Sequence, residues 1–210
     1  MKKLFVGGFG GSGTRVVQML LYQAGYFVGQ PLINGAFDYM GPYKNFVALY
    51  DKYHFSGDEE GFDVVLKCAT MYRRSWSLKH GHFMYCIDLL KDWYPDSEFI
   101  FVMRNPIDNS LNKHNTWYRY GGLCLDATLE EKVKYYLQVC REVIPKADYT
   151  LRLENICDDP KNEIENLLNF ASVPSYKYRM DEMLKLIKKP KSVGAGEKYY
   201  SKIDVSEVGY

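Results

Sequence analysis

A glycine-rich segment near the amino terminus constrains the fold of this 210-residue chain more than any other feature. Five glycines fall from Gly7 to Gly13, after the apolar run 4–6 and before apolar residues at helical spacing over 16–21. This order predicts a strand, a tight loop and a helix. Glycine lets the backbone turn sharply and leaves N–H groups uncovered, and the positive end of a helix attracts an anion. Segment 7–13, the glycine loop, is therefore expected to bind an anion.

The glycine loop departs from the Walker A loop of ATP-binding and GTP-binding proteins. The register G-x-x-x-x-G fits Gly8 to Gly13, but the next two residues are Thr14 and Arg15 instead of Lys and Ser or Thr. The lysine that reaches the outer phosphates and the hydroxyl that binds Mg²⁺ are both missing. The loop is therefore expected to hold a phosphate-like group without a metal. A glycine-rich turn that binds nothing is the alternative.

Strands and helices are predicted to alternate along the chain, which indicates a parallel sheet covered on both faces. The expected fold is a single-domain, three-layer α/β/α fold with a central, mostly parallel sheet, like that of P-loop NTPases. The least regular region is 30–61, with a possible helix at 45–53. Segment 62–73 is expected to be helical, with a strand at 64–66 as the alternative. The later elements are expected at 75–79 (strand), 83–93 (helix), 98–103 (strand), 106 toward 117 (helix), 129–144 (helix), 149–153 (strand), 159–171 (helix) and 178–187 (helix).

Composition narrows the class of protein and its location. The 27 basic and 26 acidic residues nearly cancel, so net charge gives no reason to expect a nucleic-acid partner. The five cysteines are an odd number without a C-x-x-C pair, which indicates reduced thiols and no zinc site. The apolar run after Met1 is too short for a signal peptide, and no run approaches the roughly 20 residues of a membrane span. A cytoplasmic protein without a membrane partner is expected.

Four segments together resemble the sulfotransferases that use 3′-phosphoadenosine 5′-phosphosulfate (PAPS). The glycine loop is similar to that family's 5′-phosphosulfate loop, where a strand, a Ser-Gly-Thr core and a helix follow one another. Segment 76–82 resembles its second strand and catalytic loop. Segment 99–108 resembles a strand, loop and helix that carry an arginine, and 151–160 resembles a later strand and helix start. The matches follow the family's order and span about residues 4 to 171.

The resemblance implies that two groups of residues bind one PAPS molecule, one at its 3′-phosphate and the other at its 5′-phosphosulfate. Arg104 matches the arginine that binds the 3′-phosphate, with Ser110 or Asn112 in place of the family's serine; a strand-end salt bridge to Asp108 is the alternative. Arg15 either replaces the basic residue that often precedes the loop serine or binds a carboxylate on the outer face of the helix. The residues expected to hold the 5′-phosphosulfate are Gly10, Gly11, Ser12, Gly13, Thr14 and Arg15.

Candidates for catalysis lie in the run Lys79-His80-Gly81-His82. The cytosolic branch of the family carries Lys-Thr-His here, with the histidine as base, but Gly81 occupies that position in this chain. A histidine with a pKa near ~6.5 is suited to taking a proton from an acceptor hydroxyl. We expect His82 rather than His80 to do so, because a loop after Lys79 gives His82 the freer reach. Lys79 is expected to stabilise charge on the bridging oxygen. Surface histidines that cap the next helix are the alternative.

The resemblance implies transfer of a sulfuryl group from PAPS to a hydroxyl or amine of a small-molecule or carbohydrate acceptor, without a metal. Region 30–61 contains no motif that identifies this acceptor. Segment 188–210 is expected to be a lid or a flexible tail. Two other classes remain open: a P-loop nucleotide kinase or hydrolase, and a non-catalytic nucleotide-binding protein of the same fold. The departures at Gly11, Gly81 and Asn112 keep the second of these open.

Overall fold

The computed structural model describes residues 1–28, 54, 56–57, 67, 74–112, 123, 126–175, 179–189 and 193–210. Within these ranges, four parallel strands form one sheet in the order β2-β1-β3-β4. This confirms the predicted α/β fold with a parallel sheet. The strands are β1 (Lys3–Gly7), β2 (Trp76–Lys79), β3 (Ser97–Met103) and β4 (Tyr149–Arg152).

The described helices flank the sheet and mostly begin and end near their predicted bounds. They are α1 (Thr14–Gln23), α2 (Ile87–Trp93), α3 (Pro106–Ser110), α4 (Leu129–Val143), α5 (Leu153–Asp158), α6 (Pro160–Phe170), α7 (Met180–Leu184) and α8 (Glu197–Tyr200). Short 3₁₀ turns occupy Gly81–Tyr85, Ile144–Lys146 and Ser206–Val208. None of these helices has the length and apolar run that a membrane crossing needs.

Four predicted elements differ from the structure. The helix expected at 83–93 is a 3₁₀ turn followed by α2, and the helix expected at 178–187 is confined to α7. The helix expected from 106 toward 117 ends at Ser110, as α3. The strand expected to reach Leu153 ends one residue earlier, where α5 begins. The predictions for 45–53, 62–73 and 113–117 lie outside the residues described here or rest on isolated ones.

Both faces of the sheet are buried, because neighbouring residues along a strand point to opposite faces. On one face Phe5 and Phe101 pack against α2 and α4. On the other, Leu4 and Val102 pack against α1 and α6. Burial on both faces explains why β3 is a continuous apolar run, as is typical of parallel strands. The arrangement confirms the predicted three layers.

The sheet order brings the candidate residues to one edge. Parallel strands place all their carboxyl ends together, and open α/β sheets bind ligands there. Strand β1 lies between β2 and β3, so the glycine loop that follows it is flanked on one side by His80 and on the other by Arg104. The segment after β4 begins at the same edge.

Candidate active site

The glycine loop closes tightly onto the start of α1. The Ser12 backbone N–H donates to the Phe9 carbonyl at 3.0 Å, and the Gly13 carbonyl accepts the first helical bond, from Val16 at 2.9 Å. Within the part of the chain that the structure describes, no side chain caps the amino terminus of α1. The Ser12 side chain is fully buried, yet its Oγ has no hydrogen-bond partner among the described residues. A buried hydroxyl without a partner costs about 1–3 kcal/mol, so this atom fits a loop that receives an anion.

Side chains from the end of β3 and from α3 hold the carbonyl groups of the loop. Arg104 Nη1 donates to the Gly11 carbonyl at 3.5 Å, and Asn109 Nδ2 donates to the Gly10 carbonyl at 3.2 Å. The amide of Asn112 lies beside Gly11, 2.5 Å from where a Cβ on that glycine would stand. The glycine loop therefore contacts segment 104–112, which contains the residues that the resemblance assigns to binding of the 3′-phosphate.

The backbone leaves β3 and enters α3 within two residues. Asn105 caps the helix, with its Oδ1 accepting from the N–H groups of Ile107 at 2.9 Å and Asp108 at 3.3 Å. Pro106 occupies the first helical position, where no N–H is needed. This short connection brings the side chain of Arg104, at the end of β3, close to that of Asp108 in α3.

Arg104 is buried, with 2% of its surface exposed, between two carboxylates. Its Nη2 lies 3.7 Å from Asp108 Oδ2, and its Nε lies 4.0 Å from Glu154 Oε1. These separations exceed the roughly 2.7–2.9 Å of a charge-assisted hydrogen bond. The ion pair between Arg104 and Asp108, which was the alternative interpretation of Arg104, is therefore present, but the two groups are too far apart for a charge-assisted hydrogen bond. The hydroxyl of Tyr136 fixes the backbone here, accepting from Arg104 N–H and donating to its carbonyl, both at 3.0 Å.

The two carboxylates beside Arg104 also bind the C-terminal segment (193–210). Asp108 is buried and accepts from the backbone N–H groups of Gly194 at 2.5 Å and Gly196 at 2.6 Å. Glu154 accepts from the Tyr210 hydroxyl at 2.8 Å and from the Asn105 N–H at 3.0 Å. The C-terminal segment therefore packs at the same sheet edge as the glycine loop.

Lys79, His80 and His82 are all buried at the end of β2. The strand stops at Lys79, and the His80 N–H donates to the Val6 carbonyl at 3.1 Å. His80 caps the following 3₁₀ turn, because its Nδ1 accepts from the His82 N–H at 3.3 Å. The two ring Nδ1 atoms lie 3.0 Å apart. The capping role that was the alternative to catalysis is thus present for His80, but on a buried histidine rather than at the surface.

The remaining predicted residues lie around the loop in different environments. Thr14 is buried at the first turn of α1, whereas the neighbouring Arg15 is exposed. Ser110 is buried at the end of α3.

Sequence reasoning missed several residues that build this site. Asn109 could have been found, because it lies three residues before Asn112, and residues at that spacing share a face in the helix predicted from 106 toward 117. Phe9 stacks on Tyr136 with ring centroids 4.3 Å apart, which braces the loop against α4. No local pattern marks this contact, since the two residues are far apart in the chain.

The sheet order, the glycine loop and the arginine at the end of β3 define an α/β protein of the P-loop-like class. A sequence profile described as the sulfotransferase family matches residues 59–177. The chain therefore belongs to the sulfotransferase family and is a sulfotransferase. The matched segment contains Lys79, His80, His82 and Arg104, whereas the glycine loop precedes it.

Solved structures of sulfotransferases share the fold. One from Alicyclobacillus acidocaldarius has a TM-score of 0.54 at 13% identity, over 95% of this chain and 91% of that one. The sulfotransferase domain of the Synechococcus PCC 7002 olefin synthase has a TM-score of 0.53 at 13% identity, over 96% and 82%.

Retinol dehydratase in a complex with retinol and PAP has a TM-score of 0.51 at 12% identity, over 91% of this chain and 67% of that one. At such identities these likenesses show the fold alone. No curated protein sequence matches this chain.

Proposed function

We propose that this sulfotransferase takes its sulfuryl group from PAPS and transfers it to a hydroxyl or amine of a small-molecule or carbohydrate acceptor. The buried Ser12 hydroxyl carries the proposal, because it lacks a described partner in a loop that adjoins the amino terminus of α1. Retinol dehydratase, which has the same fold and was solved in a complex with retinol and PAP, supports this choice of sulfuryl donor.

The described residues fit the two anionic ends of PAPS. The N–H groups of Gly10, Gly11, Gly13 and Thr14 and the Ser12 hydroxyl would hold the 5′-phosphosulfate, with Arg15 as a further cation at the rim. Arg104 would hold the 3′-phosphate, with Ser110 or Asn112 as a second donor. The contact of Arg104 with the Gly11 carbonyl supports adjacent sites for the two groups.

When bound, PAPS supplies a sulfur atom that the acceptor attacks, so that a new S–O or S–N bond forms while the bond to the 5′-phosphate oxygen breaks. One of the histidines, His80 or His82, takes the acceptor proton. Lys79 stabilises the negative charge on the phosphate oxygen that leaves with adenosine 3′,5′-bisphosphate. These positive groups and the loop N–H groups stabilise the charge in the transition state, and a metal is not part of the proposal.

We also propose a cytoplasmic location. Cys86, Cys140 and Cys157 are free thiols, and reduced thiols are the rule in the cytosol. Burial raises the pKa of Cys140 to about 12, which keeps this thiol protonated and unreactive at neutral pH.

Calorimetry on an Arg104→Ala variant tests the nucleotide assignment. The substitution should weaken binding of adenosine 3′,5′-bisphosphate by about 2–4 kcal/mol, because it removes a charge-assisted contact to the 3′-phosphate. Binding of adenosine 5′-phosphate, which lacks that group, should weaken much less. Arg141→Ala, which removes an exposed arginine paired with Glu207, is the matched control. Equal losses for both nucleotides, or tighter binding of Mg-ATP than of the bisphosphate, would contradict the proposal.

A further inference from the structure

His80 and His82 form a hydrogen-bonded pair inside the protein. Only 4% of the surface of His80 and 3% of the surface of His82 is exposed. The ring planes are nearly parallel, 15° apart, with centroids separated by 4.7 Å. Their Nδ1 atoms are 3.0 Å apart, which is a hydrogen-bond distance. One of the two nitrogens must therefore carry a proton and the other a lone pair.

A backbone contact decides which nitrogen carries the proton. The His82 backbone N–H, which is always a donor, points at His80 Nδ1 from 3.3 Å. His80 Nδ1 is thus an acceptor, and the proton of neutral His80 resides on Nε2. Since two lone pairs cannot face each other at 3.0 Å, His82 Nδ1 is protonated. Neutral His82 consequently has its basic lone pair on Nε2.

We infer that His82 is the general base of this sulfotransferase, acting through Nε2, and that His80 is the positioning residue that fixes its tautomer. The inference rests on the proposed function and extends it. The acceptor proton passes to His82 Nε2 as the acceptor bonds to sulfur. The resulting imidazolium keeps its Nδ1–H bond to the His80 lone pair, which stabilises the positive charge. His80 thereby takes the part that a carboxylate plays beside the histidine of a catalytic triad.

His80 is held firmly enough for this part. Its backbone N–H donates to the Val6 carbonyl at 3.1 Å, so it is anchored to β1 directly before the glycine loop. Its ring contacts the buried Phe83, with centroids 5.9 Å apart. The backbone is extended at His80, with φ −155° and ψ 138°, and continues the alternation of β2. The pair therefore has a fixed position beside the loop proposed to hold the phosphosulfate.

Nitrogen-15 NMR of the wild-type protein, labelled at histidine, tests the tautomers without any need for turnover. At a pH where both rings are neutral, we expect His82 to be protonated on Nδ1 and His80 on Nε2. Single substitutions, His80→Asn and His82→Asn, assign the signals. The opposite tautomers, or the same tautomer on both rings, would overturn the inference.

Kinetics on variants of His80 test whether the bond matters for transfer. Asparagine places an acceptor oxygen near the position of Nδ1, whereas leucine offers none. His80→Leu should lower kcat roughly 10- to 100-fold, as loss of a partner that orients a histidine does elsewhere. The affinity for adenosine 3′,5′-bisphosphate should change less than about twofold, because the role inferred for His80 is to orient His82 and not to bind the nucleotide. His80→Asn should recover most of the rate.

A double variant separates positioning from mere stability. His82→Ala should cost roughly 100- to 10,000-fold in kcat, and adding His80→Leu to it should cost nothing further, since His80 acts only through His82. Additive losses, or a His80→Asn variant as slow as His80→Leu, would overturn the inference. If the wild type transfers no label from PAPS to 2-naphthol, 1-dodecanol or glucosamine, the proposed function fails instead. The NMR experiment still decides the tautomers in that case.

Discussion

At the scale of single residues, the glycine loop depends on two backbone conformations that other residues rarely adopt. Gly11 has φ 82° and Gly13 has φ 99°, both in the left-handed region. A Cβ on Gly11 would stand 2.5 Å from Asn112 Nδ2, and one on Gly13 would stand 2.8 Å from Leu153 Cδ1. Both the turn and the close approach of neighbouring side chains thus require glycine here.

Gly11→Ala should weaken nucleotide binding more than it weakens the fold. The left-handed backbone costs about 1–2 kcal/mol for any residue with a Cβ. The added methyl also displaces Asn112 or the loop, so affinity for adenosine 3′,5′-bisphosphate should fall roughly tenfold or more. Calorimetry and urea unfolding measure the two effects.

Gly25→Ala is the matched control for this substitution. Gly25 has φ 87°, but no atom of the described residues beyond its chain neighbours lies within 4 Å of its Cβ position. It should lose similar stability and keep wild-type affinity. Equal affinities for the two variants would contradict the role given to the loop.

At the scale of elements, the helices and strands that could be predicted correctly are those whose apolar residues repeat at a regular local spacing. Helix α4 begins at Leu129 as predicted, with a capping box of Thr128 and Glu131, because its apolar face repeats at helical spacing. Helix α5 was missed because it starts where β4 ends and has only six residues. The contact between Asp108 and Gly194 spans 86 positions in the chain, so no local pattern could reveal it.

The same distinction holds for the candidate site. The loop, Arg104 and the histidine run could be found from the sequence because each follows a predicted strand. The tautomers of His80 and His82 could not, because they depend on one backbone N–H and on a separation of 3.0 Å.

Asp108→Asn should loosen the C-terminal segment (193–210). The substitution removes the charge that accepts two backbone N–H groups and turns one donor toward another. Since hydrogen bonds to a charged group contribute about 1.5–3 kcal/mol each, amide hydrogen exchange over 193–200 should become roughly tenfold faster or more. Mass spectrometry of peptides from this segment measures the change. The control is Asp88→Asn, which removes an exposed carboxylate paired with Lys146. Unchanged exchange in the Asp108 variant would show that other contacts hold the segment.

At the scale of the whole molecule, the candidate site lies at the carboxyl ends of the strands, whereas a group of stabilising contacts lies at their amino-terminal ends. Tyr26 is buried near the amino-terminal ends of the strands. Its hydroxyl donates to the Ala171 carbonyl at 2.5 Å and accepts from the Lys2 N–H at 3.0 Å. One phenol thereby joins the chain before β1 to the ends of α1 and α6. Burial raises its pKa from the usual 10 to about 12.

This pKa shift predicts a loss of stability in alkali. The folded state holds the Tyr26 proton more tightly than the unfolded state does. The resulting stabilisation is fully present below pH 10 and is lost as the pH rises toward 12. The loss should approach roughly 3 kcal/mol, at about 1.4 kcal/mol for each unit of pKa.

Urea unfolding of wild type and Tyr26→Phe between pH 9 and about 12 measures this loss. The variant has no phenol to ionise at this position, so the gap between the two proteins should narrow with rising pH. Tyr22→Phe, at an exposed tyrosine, should follow the wild type instead. A gap that stays constant with pH would contradict the assignment.

Transfer of ³⁵S from labelled PAPS to a panel of phenols, alcohols, amines and carbohydrates, in the presence of EDTA, tests the proposed function most directly. A PAPS-dependent sulfotransferase should give a labelled product from at least one class and release one adenosine 3′,5′-bisphosphate per transfer. The Arg104→Ala and His82→Ala variants should lose the product. Bisphosphate binding without transfer to any acceptor, or ATP turnover that requires Mg²⁺, would contradict the proposed function.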